Sequence, residues 1–473
     1  MAQKTVDRVN GLYQVARTDY VNAIAALASR VQNIPYLYDS KVLEILRPLL
    51  SDIVPSIQNT AAIALARIAG HDVKMAEEIV KNQSLILLLS GFSRKNKIFK
   101  KSALLLLRSI GQHSSALAEA VVDAGGLDAI IMCLEDFDPK VREESCWAVE
   151  YISRQSSELA EKIVDAGALP LFVVCLQQEE VSLKQAASAA LSNIARQSLE
   201  LAQAAVDAKA IPFLARCLKN PDAKLKRQLF LTLSNIAKHN LELAEFVVET
   251  EILPEVLVQT AHVDDLVKRN ASVLVREVVK HSVEMAEYVV NCGGVAALIR
   301  VLENTSGPNR LPAIMAIGYI AAQSERLASA IINGKGVSEL CAVLCDEKED
   351  HIVAATVWTL GQIGKHSSEH SKSLAVANVF PKMMKLYSSP KSSEDLRQKA
   401  KESLKQTLKK CTHLHALESL LEDAPLPIMK YILGQFSKVM LTLTPQENTF
   451  SFKKVQIRYK YLGNDDLYIH SSC

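Results

Sequence analysis

A two-residue apolar mark recurs along the chain at a fixed interval. Met75-Ala76, Leu117-Ala118, Leu159-Ala160, Leu201-Ala202, Leu243-Ala244, Met285-Ala286 and Leu327-Ala328 follow one another at steps of 42 residues. A period of this size marks a helical solenoid, in which each unit buries its apolar face against its neighbours. Within the unit 156–197 the spacing predicts three helices. A short one runs from Ser156 to about Gly167, and a second covers 168–177 with Pro170 in its first turn, where no backbone donor is needed. A longer third helix covers 181–196.

The column that opens the short helix holds Asp72, Ser114, Ser156, Ser198, Asn240, Ser282, Ser324 and Ser367, all of them residue types that cap a helix N-terminus. Glu158, Glu200, Glu242, Glu284 and Glu369 follow two residues later, where negative charge suits the positive helix end. The last step of the column is 43, which predicts one inserted residue near 346–350. Gly125, Gly167 and Gly293 sit in the turn before the second helix, a place for left-handed backbone. One short and two longer helices per unit describe an armadillo-type repeat, so the expected fold is an all-α, right-handed superhelical solenoid.

The expected organisation has four parts. Residues 1–32 form an N-terminal helical cap, in which Val6, Val9, Leu12, Tyr13, Ala16 and Tyr20 keep helical spacing. Repeats of 42–43 residues fill 33–387. Residues 388–440 form a C-terminal helical cap, with 394–421 read as one helical stretch. Residues 441–473 are Thr/Ser/Tyr-rich and out of register, and are expected to be poorly ordered.

A length of 473 residues would ordinarily suggest about three domains, but a solenoid grows without enlarging its core. Apolar residues make up 49% and aromatics 5%, so Leu, Ala, Val and Ile fill the interior. The net charge of +2 leaves any charge-driven partner to a local patch. The nine cysteines show no disulfide framework; Cys133, Cys175 and Cys217 recur in apolar runs and read as core residues, as do Cys341 and Cys345. Scattered charges over 1–31 predict no signal peptide, and no run reaches the roughly 18 apolar residues of a membrane span. The expected compartment is reducing and cytoplasmic, with no membrane partner.

No phosphate loop, paired metal ligands or nucleophile elbow appears, so no enzyme and no cofactor is expected. His71, His113, His239, His281 and His366 share a column, but Gln155, Gln197 and Gln323 share it too. A metal or catalytic site would not accept that exchange, whereas a hydrogen-bonding turn residue would.

Lys100, Arg142, Lys184, Lys226, Lys268 and Arg310 form another column, each in the first turn of a third helix, reinforced by Arg227 and Arg269. This ladder reads as an ordinary solvated face or as a basic track for an acidic partner. It lacks interleaved aromatics, which argues against nucleic acid. On the third helices, Trp147, Asn193, Asn235 and Trp358 are the candidate groove residues. No repeat holds the Trp and the Asn four residues apart that nuclear-import adaptors carry, so cargo-peptide capture of that type is not expected.

Longer strings carry a specific resemblance. Tyr13-Gln14-Val15-Ala16-Arg17-Thr18, Leu134-Glu135-Asp136-Phe137-Asp138-Pro139, Asn220-Pro221-Asp222-Ala223-Lys224-Leu225-Lys226 and Gly434-Gln435-Phe436-Ser437-Lys438-Val439 resemble the sperm-associated antigen and paralysed-flagella family of armadillo-repeat proteins. These strings lie between residues 10 and 440; beyond 440 the chain departs from the family. The resemblance implies a non-enzymatic scaffold of the ciliary and flagellar axoneme, in the central apparatus. Its expected partners are tubulin or microtubules and central-apparatus proteins, with self-association possible in principle, and its expected role is in ciliary and sperm motility. The competing expectation is a soluble adaptor that captures extended peptides in a concave groove.

Overall fold

The computed structural model describes residues 2–421 and 424–440. The tail 441–473 lies outside the described residues. Helices dominate, and no strand occurs among the described residues. They fall into two compact units that meet between Ile252 and Leu253. That division falls inside a repeat, after the short helix Leu241–Glu249 and before Leu253–Gln259.

In the first unit, helix Ala2–Leu27 packs on the third helix Pro55–Ala69. Third helices then stack in sequence order: Lys97–Gly111, Pro139–Ser153, Val181–Gln197 and Ala223–Ala237. Their contact rows are small or aliphatic. Ala186, Ala187, Ala190, Leu191 and Ile194 of Val181–Gln197 are all fully buried, which lets successive backbones approach closely. In the second unit, Asp265–Val279, Leu311–Gln323, Asp350–Gly364 and Glu394–Leu408 stack in the same manner, and Leu426–Met440 covers the last of them.

The cap column behaves as expected in seven of its eight positions. Asp72 accepts from the amide of Lys74, and Ser114, Ser156, Ser198, Asn240, Ser282 and Ser324 each accept from the amide three residues on. Ser367 does not cap. Its hydroxyl lies 2.7 Å from Nδ1 of buried His370, which stands where other repeats place Leu or Met. The turn before the second helix is left-handed throughout the array. Gly125, Gly167 and Gly293 have φ of 87°, 83° and 86°, but Lys41, Gln83, Lys209, Glu251, Lys335 and Asn378 take the same conformation without being glycine.

Two element boundaries differ from the expectation. The stretch 394–421 breaks after Leu408 and resumes at Leu414, because His413 turns its Nδ1 to accept from the amide of Ala416 and starts a new helix. Arg310 is not in a first helical turn; it links a 3-10 turn, Gly307–Asn309, to helix Leu311–Gln323.

Six of the eight members of the His/Gln column share one task. His113 Nε2 lies 2.6 Å from the carbonyl of Ala69, and His366 Nε2 lies 2.7 Å from that of Ala321. Gln155 and Gln197 donate to the carbonyls of Gln112 and Ser153 at 2.8 and 2.7 Å. Each bond closes an open carbonyl at the C-terminal end of the preceding third helix. His113→Gln is therefore expected to leave stability unchanged, and His113→Leu to lower it by about 1–2 kcal/mol, read by urea denaturation. Equal losses for both variants would refute the donor role.

Candidate interaction surface on the third helices

The ladder residues do not form an open track. Lys226 and Arg310 are buried at 8% exposure, and Lys100, Arg142, Lys184 and Lys268 are half-buried. Several of these side chains reach oxygens of the protein before they reach water. Lys100 Nζ sits 2.8 Å from the Asp136 carboxylate of the next repeat. Arg142 donates to the backbone carbonyl of Asp136. Arg310 donates to the carbonyl of Thr305, with Nε at 2.9 Å, and Lys268 pairs with Asp265 at 2.8 Å. The expectation of an exposed ladder is corrected accordingly. Of the two reinforcing residues, Arg269 is exposed and Arg227 half-buried.

The exposed face of the first unit is best seen on helix Pro139–Ser153 and its C-cap. Lys140, Glu143, Glu144, Trp147, Glu150, Tyr151 and Arg154 follow i, i+3, i+4 spacing; Lys140 and Arg154 are exposed and the others half-buried. They are linked to one another and to both neighbouring third helices. Arg108 lies 5.6 Å from the Tyr151 ring centre and 3.4 Å from Glu144. Arg154 lies 4.7 Å from the same ring. Asn193 donates to Glu150 at 2.8 Å, and Ser182 donates to Glu143 at 2.7 Å. The result is a mixed surface of aromatic faces and compensated charge.

Burial pushes the carboxyls of Glu144 and Glu150 above their usual range, and the attraction of Arg108 for the first and Arg154 for the second only partly offsets it. A raised carboxyl pKa contributes stability at low pH that is lost as pH rises through the folded value, so ionised Glu144 is a burden near neutrality. Glu144→Gln is expected to be neutral or stabilising, by less than about 1 kcal/mol, at pH 7. The difference should vanish below about pH 4, where the unfolded carboxyl also holds its proton. Chemical denaturation at both pH values measures this, and a clear destabilisation at pH 7 would show that the Arg108 pair dominates.

The four groove candidates separate. Trp147 and Asn193 belong to the face just described. Asn235 is 9% exposed and donates to the Ser192 hydroxyl at 2.9 Å, so it joins adjacent helices. Trp358, in the second unit, packs edge-on against Tyr319 with ring centres 5.2 Å apart and leans over Gly318. The charged residues Glu144, Glu150 and Arg154 on the helical face of Trp147 were missed in sequence, although they could have been read from that spacing.

Of the eight described cysteines six are buried, Cys292 is intermediate and Cys345 is exposed. The core reading of Cys345 is corrected: it lies in the last turn of helix Gly336–Asp346, with Lys382 Nζ 3.0 Å from its sulfur. Among the described residues no group of three or more His, Cys, Asp or Glu is placed to hold a metal ion. Nor is any single helix there long and apolar enough to cross a membrane.

Residues 114–154 and 156–196 each match the armadillo/beta-catenin-like repeat. These two repeats are of the armadillo type, and the fold is an armadillo-type helical solenoid. A stretch of 102 residues, 22% of the chain, is 52% identical to sperm-associated antigen 6 of Mus musculus, and the Homo sapiens protein of that name matches at the same identity and length. The match spans 20% of the length of each of these relatives, a narrower stretch than the strings between residues 10 and 440 suggest. Among solved structures, a crystal structure of an engineered protein from the Northeast Structural Genomics Consortium superposes with a TM-score of 0.74 at 23% identity. It covers 88% of this chain and 98% of its own, a likeness of fold.

Proposed function

We propose that this armadillo-repeat chain is a non-catalytic scaffold of the ciliary and flagellar axoneme, held in the central apparatus by contacts with microtubules and neighbouring axonemal proteins. The observation that carries the reading is the 52% identity to sperm-associated antigen 6 over 102 residues. The surface is compatible with it. Third-helix ends of the first unit carry exposed Arg154 and Arg196, and Lys224 is exposed at the start of another. Acidic tubulin surfaces would be met by these cations rather than by the half-buried ladder.

Reversal of Arg154, Arg196 and Lys224 to Glu is expected to reduce co-sedimentation with microtubules at low salt, while circular dichroism remains that of the parent. Unchanged co-sedimentation would remove tubulin from the proposal. Tagged protein in ciliated cells should concentrate along the ciliary axis, and a diffuse cytoplasmic distribution would refute the scaffold. The adaptor reading has one observation in its favour, the Trp147/Tyr151 face with its flanking charges. Affinity capture from ciliated cells separates the two, since a scaffold enriches axonemal structural proteins.

A further inference from the structure

The last third helix, Glu394–Leu408, carries an unbroken cationic row. Arg397, Lys401, Lys405 and its C-cap Lys409 are four residues apart and all exposed. Like charges at i, i+4 weaken a helix, so three consecutive such steps are a local conflict that packing does not demand. None of the four makes an ion pair with a described residue. The nearby acids Glu394 and Glu402 lie on the same helix, and Glu402 already accepts from Gln398 at 2.6 Å. The covering helix Leu426–Met440 brings no acidic residue and adds two cations, Lys430 and Lys438.

Tyr431 of that covering helix concentrates the charge. The ammonium groups of Lys405, Lys409 and Lys430 lie 5.9, 5.6 and 5.3 Å from its ring centre. A ring face attracts cations, and here it gathers Lys405 and Lys409 of the row with Lys430 beside them. At the other end, Tyr387, Arg397, Lys401 and Pro425 line a pocket of about 670 Å³.

The dimensions select the partner. Four residues of helix advance about 6 Å, and two residues of extended chain advance about 6.6 Å. We propose that this row binds an extended acidic protein segment bearing carboxylates at every second position, one carboxylate to each step of the row. The full row is about 18 Å long, which accommodates roughly six or seven residues of such a segment. The proposal stands apart from the axonemal reading, because it rests on the charge and spacing of one helix pair.

The test uses the full chain and a fluorescein-labelled heptapeptide of sequence Glu-Gly-Glu-Ser-Glu-Gly-Glu, followed by anisotropy at low salt. Binding is expected, together with weaker binding of an isomer in which the four Glu are contiguous. The combined Lys401→Glu, Lys405→Glu and Lys409→Glu variant should bind roughly thirty-fold more weakly, the product of several exposed pairs of modest strength. A control with Lys348, Lys372 and Lys385 reversed to Glu matches the net charge and should bind like the parent. Circular dichroism confirms that both variants are folded. The proposal is overturned if the control loses as much affinity as the row variant, if the two peptide isomers bind alike, or if an oligothymidine of equal charge binds more tightly than the peptide.

Discussion

Phe172→Ala should destabilise the first unit by about 3–5 kcal/mol, the range for removing a fully buried aromatic ring and leaving a cavity. Phe172 is 0% exposed on the second helix Ala168–Leu176, which packs against its own third helix, Val181–Gln197. In a repeat array stability is a sum of repeat terms and neighbour interfaces, so the damage should be local before it is global. Native-state hydrogen exchange should show the amides of 156–197 opening about two to three and a half orders of magnitude more often, while those of 97–111 change less. Phe172→Leu, which keeps most of the volume, should lose no more than about 1.5 kcal/mol. A loss below about 1 kcal/mol for the alanine variant would mean that the helix collapses onto its neighbours without a cavity.

Gly318→Ala sets two effects of opposite sign against each other. Alanine favours the helix Leu311–Gln323 by about 1 kcal/mol relative to glycine. A Cβ at position 318 would, however, stand 2.8 Å from a ring carbon of Trp358 and 2.6 Å from the Thr359 hydroxyl. The indole cannot slide away freely, because Tyr319 stands edge-on to it at 5.2 Å, and Thr359 is held by its bond to the carbonyl of Ile314 at 3.0 Å. Overpacking of this kind costs about 1–3 kcal/mol or more, so steric strain is expected to win and the second unit to lose stability. Adding Trp358→Leu should restore part of the loss. A more stable single variant would show that the third helices can separate without penalty.

The repeat and its caps could be read in sequence because they depend on local chemistry. A Ser before a helix has an orphan amide within three residues, whatever the tertiary context, and helix limits such as Val181–Gln197 fell within one residue of the spacing. The exchange of Gln for His likewise revealed a donor, and only its acceptor had to be supplied by the structure. Direction could not be read. The column Lys100 to Arg310 has a clear period, but period states which residues are equivalent and not whether they face water or a loop carbonyl such as that of Asp136. Ser367 failed as a cap through a replacement visible only beside its siblings, His370 for leucine. The partners of Glu144 and Glu150, Arg108 and Asn193, come from the two flanking third helices, a juxtaposition that no single 42-residue window contains.

The bonds from these His and Gln residues to the helix before them also give the array an order in time. The donor that finishes one third helix is supplied by the next repeat, as Gln155 does for the carbonyl of Gln112 and Gln197 for that of Ser153. At ordinary synthesis speeds of roughly 5–20 residues per second, each third helix stays open at its end for about 2–8 s until the following donor emerges. A truncation after any third helix would make that open end permanent. Shortened versions of this chain should therefore end on a repeat whose last carbonyls are given a polar cap of their own.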